Sequence, residues 1–498
     1  MPVAFAVSTA PADQVKADLL AVPVFAGNLL GPGADAVDRA LGGGLAAFMT
    51  EADFEAKTGQ TLAVPTNGAL GASAAVLVGL GARDELTVDA FRKAGAALAK
   101  GATKVASVVT TLAEAAPAAL DRAEVGQAVV EGVLLGGYEF LGYKSAPMPS
   151  KLAEVTLVSR AAATLRRGVE RGATVGSAAI WARDIVNTPA KDLSPVEFAK
   201  SAQRLLRGKG VKVDVLDEAA LKRERCGGIL GVGMGSQQPP RLVKMTYAPT
   251  GARGTLALVG KGVVFDSGGL SLKPAGGMET MKTDMAGAAA VIATMSVLRD
   301  LGVKAKVVAF TPMVENMPSG TAIRPGDVLT FRNGKTAEVL NTDAEGRLIL
   351  ADALALAAEA KPDAIVDLAT LTGACMVALG ERIAGLMTND EPWGDQVRAA
   401  ADQVGEPVWP LPLPKDYEKL IESELADIRN TATSTYGGAL TAGLFLQHFV
   451  GEVPWVHLDI AGPSRAPSDN GYVRKGGTGF GVRTLAEVAT RFRKPRRK

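Results

Sequence analysis

The sequence predicts an α/β fold of two domains, each a mostly parallel or mixed sheet flanked by helices. The larger, C-terminal domain carries the candidate chemistry. Three observations predict this. Strand-like apolar runs alternate with helix-periodic segments along the chain, the pattern of parallel or mixed sheets. A long helical stretch, Ala161 to about Val186, divides the 498 residues and stops at Asn187-Thr188-Pro189, where proline forbids a further turn. Beyond it, charged side chains collect at the ends of strongly apolar elements, and ligands gather at the carboxyl ends of such strands.

Residues 1–162 read as the N-terminal domain, 163–187 as a connecting helix and 188–498 as the second domain. In the first domain, Asp18–Phe25, Ala74–Leu80, Lys104–Val109 and Ala153–Val158 are strand-like. Val88–Ala99 and Val125–Leu141 have helical spacing. No motif there carries chemistry. The second domain opens with a helix, Pro195–Leu206, and a strand, Val211–Leu216. The glycine repeat of 227–236 fits neither a P-loop nor a dinucleotide fingerprint, so close backbone packing is its reading.

A buried strand, Leu256–Asp266, then carries Lys261 and Asp266 at its exit. A glycine turn and Lys273 follow, and Asp284 opens an alanine-rich helix from Ala286 to about Leu301. After the strand Ala305–Phe310, residues 329–339 alternate around Asn333-Gly334, the signal of a tight hairpin. Asn341–Leu348 comes next, with Asp343, Glu345 and Arg347 on a strand-to-helix corner. In extended geometry, side chains two apart point the same way, so two carboxylates would converge. An acidic turn that caps a helix is the plainer alternative. Further on, Ala364–Ala369 is a strand with Thr370–Ala374 at its exit. Residues 391–438 read as a long loop with a helical piece near Tyr417–Leu425. A helix, Ala439–Val450, a strand, Val456–Ile460, and the glycine-rich segment 476–483 precede a last helix. The basic tail, 491–498, reads as solvated and disordered.

Buried charges are costly unless paired or bound to metal, and five such residues at neighbouring element ends are hard to explain as caps and surface lysines. Only two histidines are present, so no HExxH pair or His/Cys zinc cluster can form, and oxygen ligands must dominate any metal site. His448 and His457 read as packed, hydrogen-bonded residues. A net charge of +2 gives no case for bulk nucleic-acid or membrane binding. The two cysteines, Cys226 and Cys375, suit free thiols in a reducing compartment. The N-terminal residues lack a signal-peptide pattern, and no uncharged apolar run reaches ~18 residues. A cytoplasmic protein is expected.

Asn341–Leu348 resembles the signature of the leucyl aminopeptidase (cytosol aminopeptidase) family. The resemblance extends to Lys261–Gly269, Met281–Met285, Val186–Pro189 and 476–483, and so covers the second domain. The first domain resembles the family's N-terminal domain only in length and layout. The resemblance implies a metallo-exopeptidase that releases leucine or other apolar residues from peptides with a free N-terminus, through two divalent ions (Mn2+ or Zn2+) sharing one hydroxide. Asp266 and Glu345 would bridge the ions. Lys261 and Asp284 would complete the tighter site, and Asp343 would serve the more exchangeable one. Lys273 and Arg347 would be catalytic without binding metal, Arg347 holding a bicarbonate. Met281, Thr370 and Gly373 would line the pocket for the first side chain. A homohexamer is implied too. The alternatives are a dipeptidase such as a cysteinylglycinase, a phosphoesterase, or a DNA-binding scaffold suggested only by the basic tail.

Overall fold

Runs rich in leucine, valine and alanine become the buried strands of two sheets, one in each of two compact units. The computed structural model describes residues 3–66 and 68–495. Among these, one unit takes in the chain up to Ile180 together with Ser468–Arg474, and the other takes in the remainder.

The first unit holds seven strands: β1 (Ala4–Ser8), β2 (Ala17–Phe25), β3 (Leu29–Leu30), β4 (Thr61–Pro65), β5 (Ala72–Gly79), β6 (Ser107–Thr110) and β7 (Glu154–Val158). Their order is β1-β7-β6-β2-β5-β4, with β3 against β2. The pairs are parallel except β4 with β5 and β3 with β2. Helices Val88–Gly101 and Arg122–Gly136 start at Thr87 and Asp121, whose side chains accept backbone N–H groups of the first turn. The two helices meet through glycine. A Cβ on Gly95 would lie 2.3 Å from the Val129 carbonyl, and one on Gly132 would lie 2.0 Å from that of Arg92. The sequence reading missed β1, β4 and the short helices Ala34–Ala40 and Leu45–Glu51. It also ran the Arg122 helix too far, to Leu141. β4 is an antiparallel edge strand ending in Pro65, a poor sequence signal.

The second unit is built on a nine-stranded mixed sheet. Its strands are β8 (Val211–Leu216), β9 (Arg241–Tyr247), β10 (Thr255–Gly260), β11 (Gly262–Asp266), β12 (Lys306–Asn316), β15 (Ala364–Ala369), β16 (Ala384–Thr388), β17 (Val408–Pro410) and β19 (Trp455–Asp459). β13 (Val328–Thr330), β14 (Thr336–Glu338) and β18 (Ile428–Arg429) form a separate small sheet. The large sheet runs β17-β16-β19-β15-β10-β12-β9-β8, with β11 also on β12. Its centre, β19-β15-β10-β12, is parallel. One core joins Ala257, Val259, Phe310 and Ile365 to Leu348, Leu350 and Leu354 of the helix Glu345–Glu359. The alanine-rich helix Ala286–Met295 also packs on these strands, beside the helix Val482–Arg491. No helix among the described residues is long and apolar enough to cross a membrane.

Several sequence readings need correction. The single strand expected over Leu256–Asp266 is two strands, broken at Lys261. β9 and β16 were not foreseen. The expected loop 391–438 contains a helix, Glu391–Val404, capped by Asp390 and ended by Gly405 in the left-handed region at φ 69°. Those end signals are ordinary ones, masked by the proline- and glycine-rich chain around them. The helical piece near Tyr417 is a 3-10 turn, Lys415–Leu420. The glycine repeat folds as a short helix, Gly227–Gly233, and it does serve close packing: a Cβ on Gly228 would sit 2.1 Å from the Leu348 carbonyl. The hairpin is present, but five residues join its strands instead of a two-residue turn. Part of the basic tail is packed down: the Phe492 ring meets Trp393 edge-on at 5.6 Å, and Lys494 pairs with Asp363 at 3.4 Å. Residues 496–498 of that tail lie outside the described residues. Both histidines are hydrogen-bonded, His448 to Glu418 and the buried His457 to Asp367.

Candidate metal centre

The parallel strands deliver the charged residues to one end of the sheet. Lys261 sits at the break between β10 and β11. Its backbone N–H donates to the Leu368 carbonyl at the end of β15, and its carbonyl accepts from Ala288. Gly260 and Gly262 flank it because side chains there would strike the carbonyls of Gly287 and Pro312, at 2.5 and 2.4 Å. Asp266 ends β11. Gly268 and Gly269 follow with φ of 87° and 65°, a left-handed pair that turns the chain back toward Lys273. Asp284 does not open its helix directly. Met285 occupies the cap position and the side chain of Asp284 is left for other partners. Likewise Ala344, not Asp343, caps the helix Glu345–Glu359, so the acidic turn is not spent on capping. Ala344 has φ −101° and ψ 42° and Glu345 is already helical. The turn, and not an extended strand, therefore brings the two carboxylates together.

Asp266, Asp343 and Glu345 each offer a carboxylate oxygen, and these oxygens lie within 4.8 Å of one another. Lys261 Nζ lies 2.8 Å from Asp284 Oδ2 and 2.8 Å from Glu345 Oε1, and donates to the Thr370 carbonyl at 2.7 Å. Thr370 Oγ1 in turn donates to Asp284 Oδ1 at 2.7 Å. Lys273 Nζ lies 2.9 Å from Asp266 Oδ2 and also pairs with Asp343. The structure thus gathers Lys261, Asp266, Lys273, Asp284, Asp343, Glu345 and Thr370. Arg347 is buried nearby on the same helix as Glu345, with its Nη1 donating to the Asn430 carbonyl at 2.8 Å. Met281 and Gly373 adjoin the cluster along the chain but stay outside its polar network. Met281 begins the 3-10 turn before Asp284, and Gly373 begins the helix after Thr372.

Charge density in this cluster is high. Burial, reinforced by the charge of Asp266, pushes Glu345 above the usual carboxylate range. Burial also raises Asp284, against the pull of Lys261. Burial opposes the charge on Lys261, but Asp284, Glu345 and Asp266 outweigh it and hold the ammonium well above its ordinary value. Burial lowers Arg347 to about 10. Among the described residues, Asp284 Oδ2, Asp343 Oδ1 and Glu345 Oε1 are buried and, apart from these close lysine contacts, make no hydrogen bond. Buried carboxylate oxygens in such a state fit a divalent cation.

Sequence reasoning missed three residues here. Gly346 allows the helix to approach Lys261, because a Cβ on it would lie 2.6 Å from Lys261 Nζ. Its place between Glu345 and Arg347 was the available signal. Asn316 and Asn430 are buried beside the cluster. Asn316 sits at a strand exit, which is a weak signal, and Asn430 lies in irregular chain with none. A cleft of about 450 Å3 bordered by Lys244, Phe310 and Arg332 contains none of the predicted residues.

Known proteins are similar to this chain over most of its length. A family model described as the catalytic domain of the cytosol aminopeptidase family matches residues 180–486, and its N-terminal counterpart matches 21–147. The chain is 47% identical over 513 residues to a probable cytosol aminopeptidase of Streptomyces griseus, covering 98% of each. It is 46% identical over 440 residues to one of Mycobacterium tuberculosis, covering 86% of this chain and 83% of that one. Among solved structures, a mutant of tomato leucine aminopeptidase superposes with a TM-score of 0.90 at 33% identity, over 98% of this chain and 97% of that one. The bottromycin maturation enzyme BotP in complex with Mn gives 0.87 at 39%, over 95% and 99%.

Proposed function

The chain belongs to the cytosol aminopeptidase family, and from that premise we propose that it releases N-terminal residues, leucine and other apolar ones preferentially, with two divalent ions held by Lys261, Asp266, Asp284, Asp343 and Glu345. The observation that carries this reading is the convergence of the Asp266, Asp343 and Glu345 oxygens within 4.8 Å. Bound ions would polarise the scissile carbonyl and lower the pKa of water.

The remaining steps fall to the chain's own residues. Asp266 and Glu345 would hold the ions together and offset their charge. Lys261 must shed its proton to become a ligand, which only a competing cation among its carboxylates can bring about. Lys273, still charged, would stabilise the oxyanion that forms on the substrate. Arg347 would hold a bicarbonate that carries the proton, since no side chain in the cluster is an evident general base. Met281, Thr370 and Gly373 would receive the first side chain, and the thioether of Met281 suits an apolar one. Recognition of a free α-amine on the substrate would restrict cleavage to the N-terminus. We read the protein as a cytoplasmic homohexamer, as the resemblance implies.

A dipeptidase acting on Cys-Gly could use the same residues, and parallel kinetics on Leu-p-nitroanilide and Cys-Gly separate the two. The DNA-binding reading is weakened by the packing of Phe492 and Lys494. The deciding experiment strips the metal and titrates Mn2+ or Zn2+ back while Leu-p-nitroanilide hydrolysis is followed. Activity should return in the wild type and stay absent in the Asp343→Ala, Glu345→Ala double variant. A folded wild type that remains inactive under every metal would refute the proposal.

A further inference from the structure

We propose that Asn316 and Asn430 are positioning residues that clamp the turn carrying Asp343, and so set the affinity of the cluster for its more weakly held ion. This deepens the aminopeptidase reading and rests on it. The turn from Leu340 to Ala344 belongs to no helix or strand, so its buried N–H and C=O groups need partners from elsewhere. Ser271 Oγ and the Asn341 side chain accept from the N–H groups of Thr342 and Asp343, and two asparagines far apart in the chain supply most of the rest. Asn316, at the end of β12, donates from Nδ2 to the Thr342 carbonyl at 3.0 Å and to Asp266 Oδ1 at 2.8 Å. Asn430, just past β18, donates from Nδ2 to the Asn341 carbonyl at 2.7 Å. Its Oδ1 accepts from the N–H groups of Leu340 and Asn341, at 2.8 and 3.3 Å. Two consecutive carbonyls are therefore held by two separate amides.

The residue type matters. A side-chain amide donates and accepts at once, which no carboxylate can do when ionised. Both asparagines are almost fully buried, so water does not substitute for them. Each also links the turn to a second part of the site. Asn316 joins it to Asp266. The backbone carbonyl of Asn430 holds Arg347 Nη1 at 2.8 Å, and its N–H is fixed to the Glu338 carbonyl at 2.9 Å. Among the described residues, the Asp343 carboxylate pairs with Lys273 alone, so it goes where the turn goes. Lys261, Asp284 and Thr370 form their own network and receive no hydrogen bond from either asparagine. Loosening the turn at Asn430 should therefore act on the ion served by Asp343 and leave the one served by Lys261 and Asp284 in place, whereas Asn316, which also holds the shared ligand Asp266, should affect both.

The test uses two single variants, Asn430→Asp and Asn316→Asp, each of which keeps size and acceptors, removes the donor and adds a negative charge, with the neutral Asn430→Ser and Asn316→Ser measured beside them to separate lost donor from added charge. Mn2+ binding to the metal-free proteins is followed by calorimetry, beside Leu-p-nitroanilide kinetics and the thermal midpoint without metal. The weaker binding step should weaken about 10- to 100-fold, the range typical of partners that orient metal ligands, with a matching loss of kcat at fixed Mn2+. Excess Mn2+ should restore much of that kcat, which a general loss of structure would not allow. If Asn430→Asp prevents folding, Asn430→Ser, neutral and smaller, takes its place. Unchanged Mn2+ affinity and kcat in folded variants would overturn the clamp. A wild type that binds Mn2+ but hydrolyses nothing would instead sink the aminopeptidase reading, and the clamp would still be judged on affinity.

Discussion

His457 illustrates how a buried residue can be reached from the sequence in kind but not in partner. Its place on an apolar strand predicts a packed, hydrogen-bonded histidine, and the structure supplies Asp367 Oδ1 at 2.6 Å from Nδ1, while the buried Nε2 makes no hydrogen bond among the described residues. Asp367 also accepts from Trp455 Nε1 at 2.6 Å. Burial pushes the His457 pKa down, the Asp367 carboxylate pushes it up, and the carboxylate wins. A raised value in the fold means that this pair's contribution to stability is complete below about pH 6.5, the unfolded value, and is lost as pH rises through the folded one. Asp459 adds to the upward push and Arg347 opposes it. The melting-temperature advantage of the wild type over Asp367→Asn should therefore be largest near pH 6 and shrink by on the order of a few degrees toward pH 9. A difference that stays constant with pH would contradict the assignment. The charged residues that cluster were equally legible by type, since charged side chains at the ends of apolar strands have few other uses. The asparagines beside them were not, because a lone Asn in irregular chain looks like any turn residue.

At the scale of elements, the helix Glu345–Glu359 ties the site to the core. Its first residues carry Glu345, Gly346 and Arg347, while Leu348, Leu350 and Leu354 are buried in the sheet core. Gly346 is the point where the two roles meet. A Cβ there would meet the Lys261 side chain, at 2.6 Å from Cε and Nζ, and no backbone atom, so the strain falls on the held ammonium and not on the packing of the helix. Gly346→Ala should accordingly fold with a thermal midpoint within a few degrees of wild type, since alanine also favours the helix by up to about 1 kcal/mol. Its Mn2+ affinity and kcat should both fall by roughly tenfold or more, in the range seen for disturbed metal ligands. Full activity in Gly346→Ala would mean that Lys261 is not where the chemistry needs it. The close approach at Gly228 to the Leu348 carbonyl was foreseen as packing, though not as a helix. Glycine-rich helices lack the apolar periodicity on which helix recognition depends.

The second unit gathers the clustered carboxylates from β11, from the segment before Ala286, and from the turn and first helical residue at 343–345, so the cluster exists only when the sheet is formed. A divalent ion should therefore bind the folded protein and not the unfolded chain. Adding Mn2+ to the metal-free protein should raise the melting temperature, with stabilisation of about 2.7 kcal/mol for one site at a roughly hundredfold excess over Kd. The Asp343→Ala, Glu345→Ala double variant should show much less of this rise in the same thermal scan. Equal rises in both proteins would place the stabilising ion elsewhere.

The amino-acid sequence alone determined the α/β class, the separation into a smaller N-terminal and a larger C-terminal region, most central strands, and the identity of the charged residues that assemble. These are local matters: periodicity, proline and glycine placement, and the cost of leaving a charge at the end of an apolar run. Tertiary structure alone decided the break at Lys261, the antiparallel additions β9 and β16, the turn that turns Asp343 toward Glu345, and the two amides that hold it. Each depends on groups separated by tens of residues, such as the Asn341 carbonyl and Asn430. A hydrogen bond between distant segments leaves no period in either of them.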